Sequence, residues 1–128
     1  MLLIGSQALK YYTNLDREPR DWDFIGTIDE IESFIQERKD EVESAYPSNE
    51  GKKMIVKLKN ELPIEFEIAW EGSTAEKLLT QYINQAVSMK IVLDIEVDIA
   101  RLDTLYELKM SHRFLKNSPH FLKIMRDI

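Results

Sequence analysis

Apolar and polar positions divide the chain into short alternating segments. Residues 2–4 are an apolar run that stops at Gly5-Ser6, and residues 6–12 restart as a helix with Ala8 and Leu9 on its inner face. Residues 13–20 are polar and contain Pro19, which marks a loop. A strand over residues 22–25 runs into Gly26. Thr27 and Glu30 then have the spacing of a capping box, and Ile28, Ile31, Phe34, Ile35 and Val42 recur at helical spacing. Together they predict a helix over residues 28–44, closed by residues 47–51.

Residues 53–58 alternate as a strand, with Met54, Val56 and Leu58 against Lys53, Ile55 and Lys57. A polar turn leads to Pro63 and to a second alternating strand, in which Ile64, Phe66 and Ile68 face one side and Glu65 and Glu67 the other. Ser73 and Glu76 start another capped helix bearing Leu78, Leu79, Tyr82, Ile83 and Ala86. Residues 89–93 and 96–99 read as two short strands around Asp94, a hairpin at the edge of a sheet. A last helix begins near Arg101. Its stripe of Leu102, Leu105 and Tyr106 continues at helical spacing as Lys109, Arg113 and Lys116, so an apolar face becomes cationic.

Length changes the picture little: 128 residues predict a single domain over residues 1–128. No apolar run of about 18 residues is present, which argues against a membrane span. The opening MLLIG lacks the features of a signal peptide, and the absence of cysteine removes disulfides and thiolate metal sites. The expectation is a cytoplasmic protein. A net charge of −6 argues against a surface that grips a nucleic-acid duplex all round. Beyond Leu108, however, Lys109, Arg113, Lys116, Lys123 and Arg126 face only Asp127, which suggests one basic surface or a solvated basic helix.

The candidate chemistry lies in Arg-Asp-Trp-Asp-Phe, residues 20–24. On a strand, Asp21 and Asp23 point to one face while Trp22 and Phe24 point to the other. Two carboxylates near a Gly-Ser turn at a helix start suit magnesium-dependent phosphate chemistry. The acids hold a hard cation through oxygen, and the turn offers backbone N–H groups and a hydroxyl to phosphate. The same acids also fit a solvated strand face. His112 and His120 are separated by the Asn117-Ser118-Pro119 breaker, so they do not form a zinc pair on one helix face and read as structural or surface residues, with a phosphate or base contact by His120 as the alternative. No Walker loop, dinucleotide fingerprint or Ser-His-Asp elbow is visible.

The order apolar run, Gly-Ser, helix and apolar-flanked Asp-x-Asp resembles the nucleotidyltransferases of the DNA polymerase beta superfamily, with a somewhat long spacer over residues 7–20. The resemblance implies that Gly5 and Ser6 lie against the triphosphate of a nucleotide and that Asp21 and Asp23 carry the metals. Glu67-Ile68-Ala69 resembles the stretch that supplies a third carboxylate, so Glu67 is preferred, with Glu65 as the alternative on the same face. The string from Leu105 to Lys123 resembles the C-terminal segment of a bacterial and phage group of nucleotidyltransferase-like proteins. That similarity implies that Lys109, with Arg113 behind it, faces the nucleotide.

The fold expected is α/β (α+β): a small mixed β-sheet with helices packed mainly on one side, the minimal nucleotidyltransferase fold. The function expected is transfer of a nucleoside monophosphate from an NTP to an acceptor, with Mg2+ in up to two positions and Mn2+ able to substitute. The acceptor is left open among a small molecule, an RNA end and a protein, and a homodimer or partner protein is expected to hold a large one. The alternative is a non-catalytic binding or regulatory module of the antitoxin or assembly type. A nucleic-acid-binding module built on the basic last helix is the third reading.

Overall fold

A computed structural model of the chain describes residues 1–15, 17–83 and 89–110. Seven strands form one mixed sheet: β1 (Leu2–Ile4), β2 (Trp22–Gly26), β3 (Val42–Ser48), β4 (Lys53–Leu58), β5 (Ile64–Ile68), β6 (Met89–Val92) and β7 (Ile95–Ile99). Four helices accompany them: α1 (Gly5–Leu9), α2 (Ile28–Glu37), α3 (Thr74–Ile83) and α4 (Leu102–Met110). Across the sheet the order is β3-β4-β5-β2-β1-β7-β6. β1 runs antiparallel to β2 and parallel to β7, and β2 runs parallel to β5. The pairs β3–β4, β4–β5 and β6–β7 are antiparallel.

This architecture corrects the expectation of a small sheet with helices packed mainly on one side, and with it the minimal nucleotidyltransferase fold. Among the described residues the elements are mostly strands, seven against four helices. Seven strands at their usual spacing extend about 29 Å across, so the sheet is the frame of the described fold.

The largest single departure is β3. The helix predicted over residues 28–44 ends at Glu37, with Arg38 as its C-cap. The Arg38 guanidinium bonds the Phe34 and Leu93 carbonyls at 3.3 and 3.1 Å and lies 4.2 Å from the Phe34 ring centroid. Val42, counted above into the helical stripe, instead starts a strand that pairs with Leu58. Pro47 is tolerated within β3 because this is an edge strand and needs no partner for a second N–H ladder.

The core lies against the apolar faces of the central strands. Phe24, Phe66, Leu2, Leu3, Ile25, Ile31 and Ile64 are fully buried. Phe24 and Phe66 stack at 5.7 Å between centroids, and Phe34 of α2 meets Phe66 edge-on at 5.2 Å. Burying each such side chain contributes about 1.5–3 kcal/mol. α2 is fixed at its start by a complete capping box: Thr27 Oγ1 accepts from Glu30 N at 3.2 Å, and Thr27 N donates to Glu30 Oε1 at 3.0 Å. None of the described helices is long and apolar enough to cross a membrane.

Candidate functional site

Antiparallel pairing of β1 with β2 brings the end of one strand to the start of the other. Ile4 pairs with Asp23, so the Gly5-Ser6 turn that follows β1 lands beside the Asp-x-Asp stretch. The approach is close: Gly5 has φ +71, and a Cβ there would lie 2.5 Å from Asp23 Oδ2. Glycine is therefore required twice at this position, for its backbone conformation and for the space it leaves to a carboxylate. Ser6 opens into α1, and its hydroxyl accepts a hydrogen bond from Arg17 Nη2 at 3.0 Å.

Parallel pairing of β2 with β5 supplies the remaining acid. Asp23 pairs with Glu65 and Ile25 with Glu67, so all four side chains share one face of the sheet. Asp21, Asp23 and Glu65 each offer a carboxylate oxygen within 4.8 Å of the others. The cluster thus takes Glu65, the alternative of the two glutamates, while Glu67 sits one pleat further along β5 and outside it. Three hard oxygen donors at this separation suit a divalent cation such as Mg2+ or Mn2+.

Electrostatics at the cluster follow first from burial and then from crowding of like charge. Burial pushes the Asp23 carboxyl up to about 8, the charges of Asp21 and Glu65 and a hydrogen bond with Glu65 push it the same way, and Lys53 opposes them. Lys53, on β4, reaches Glu65 on the neighbouring β5, with Nζ 2.6 Å from Oε1. Burial alone would pull its ammonium down, but the hydrogen bond and charge of Glu65, with Glu67 and Asp23, hold it above the usual lysine value.

The structure therefore brings together Gly5, Ser6, Asp21, Asp23 and Glu65. Lys109 belongs to α4, and Arg113, His112 and His120 lie outside the described residues. Sequence reasoning missed two cations. Arg17 was read only as part of a polar loop. Lys53 was recognised on the polar side of its strand, and the β4–β5 hairpin that sets it opposite Glu67 was the signal that would have joined it to the acids.

The chain belongs to the DUF7277 family, a domain of unknown function, whose profile matches residues 1–115. No curated protein and no solved structure matches it.

Proposed function

We propose that this chain is a divalent-metal-dependent nucleotidyltransferase that transfers a nucleoside monophosphate from an NTP to an acceptor. The observation that carries this reading is the Asp21, Asp23 and Glu65 cluster, with donor oxygens within 4.8 Å of one another beside the Gly5-Ser6 turn. The reading rests on the site and the sequence resemblance, not on the fold. Asp21, Asp23 and Glu65 would hold the metal, Mg2+ or Mn2+, which supplies positive charge for the phosphates of an anionic substrate. Arg17 donates to the Ser6 hydroxyl and adds a cation next to the turn, a suitable neighbour for the leaving phosphates. In the reaction the acceptor oxygen bonds to the α-phosphorus as its bond to the bridging oxygen breaks. Pyrophosphate leaves and the acceptor proton passes to water. A cytoplasmic location and a second copy or partner protein to seat a large acceptor belong to the same proposal.

A second reading has one specific observation in its favour. Lys53 already neutralises Glu65, as it would in a non-catalytic nucleotide-binding or regulatory module. Calorimetric titration with each of the four NTPs, with and without Mg2+, tests the site that both readings share. Magnesium-dependent binding of at least one NTP is expected, with loss of at least tenfold in affinity on Asp21→Asn with Asp23→Asn. No binding by the folded wild-type chain sinks the enzyme reading, and binding without turnover in the presence of acceptor extracts favours the module.

A further inference from the structure

The Lys53–Glu65 pair is not an ordinary surface ion pair. Both side chains are about a third exposed, at 34% and 29%, and the 2.6 Å contact is that of a charge-assisted hydrogen bond. The lysine stem starts opposite Glu67 and crosses diagonally to Glu65, so the ammonium stands against the acidic face and not beside it. A two-ion site would bring four positive charges to Asp21, Asp23 and Glu65. One of those acids is already engaged by a fixed cation, and a second divalent ion on Glu65 would meet that ammonium at close range.

We propose that Lys53 is the second cation of this site: the Asp21, Asp23 and Glu65 cluster holds one divalent ion, and the Lys53 ammonium, bonded to Glu65 Oε1, takes the place that a second ion would fill. The inference rests on the metal reading above and specifies it. Lys53 is a positioning and charge-balancing residue. It sets the number of ions, a property that a merely structural lysine would leave unchanged.

Electron paramagnetic resonance of free Mn2+ during titration of the whole chain counts bound ions without any need for substrate. The wild-type chain should bind one Mn2+. Lys53→Met should bind two, because Glu65 is released and one positive charge is removed. Lys53→Gln, which keeps a donor for Glu65 but no charge, should also bind two and serves if the methionine variant does not fold. Lys53→Arg should retain one. Two ions in the wild type, or one in the wild type and still one in the charge-removing variants, overturns the inference and leaves the metal reading standing. No ion bound by the folded wild type overturns both.

Discussion

Gly5 and Asp23 are the two residues on which the site turns. Any Cβ at position 5 meets the Asp23 carboxylate, and its φ of +71 disfavours other residues independently. Gly5→Ala should therefore cost about 1–3 kcal/mol in urea unfolding and weaken magnesium-dependent NTP binding; a variant with wild-type stability and affinity contradicts this geometry. Asp23 gives a pH signature in the metal-free protein. Its folded value, about 8, lies above the ordinary 3.8, so between those values the folded chain binds more protons than the unfolded one. The contribution is full below that window, falls as pH rises through it and is gone above about 8. With Asp21, Glu65 and Lys53 as the charged neighbours, a loss of at most about 4 kcal/mol is expected between pH 5 and pH 8. Thermal melts of Asp23→Asn should show a flatter slope, and an unchanged slope would assign the effect elsewhere. Glu30 works in the opposite sense. Burial opposes its ionisation, but hydrogen bonds from the terminal ammonium and Thr27 lower its value, so its contribution is lost only at acid pH.

At the scale of elements, α2 shows how much local chemistry decides. Thr27 accepts from the Glu30 N–H and so satisfies one donor at the helix start. Thr27→Ala should cost about 1 kcal/mol, read by urea or thermal unfolding, while leaving metal binding unchanged. That helix start was legible in the sequence because a capping box is a local signal, as were the strands Lys53–Leu58 and Ile64–Ile68, whose alternation is local too. The helix end was not. Val42 lies seven residues beyond Ile35, a spacing that helix periodicity accommodates, yet pairing with Leu58 decides its state. Most of β3 is exposed, so it shows no alternation to read. The same limit applied at the site. Asp21 and Asp23 share a strand face by local geometry alone, but the choice of Glu65 over Glu67 depends on the β2–β5 register, and the role of Lys53 depends on a partner strand.

Across the whole molecule, a single mixed sheet brings three separate stretches of chain to one point: the turn after β1, the start of β2 and the polar face of β5. The edge hairpin of β6 and β7 was legible in the sequence, while β3 on the opposite edge made the sheet one strand wider than periodicity suggested. The acidic character of the chain, with a net charge of −6, opposes the approach of a polyanion such as an NTP. Under the proposed function, a bound cation together with Arg17 and Lys53 would reverse that sign locally and so tie nucleotide binding to metal binding. The most direct test is anomalous diffraction from crystals grown with Mn2+ and a non-hydrolysable NTP analogue. A manganese peak at about 2.0–2.2 Å from Asp21 and Asp23 oxygens, with the triphosphate directed toward Ser6, is the expected result. A nucleotide bound elsewhere, or no manganese at the acidic cluster in crystals that contain the nucleotide, would contradict the proposed site.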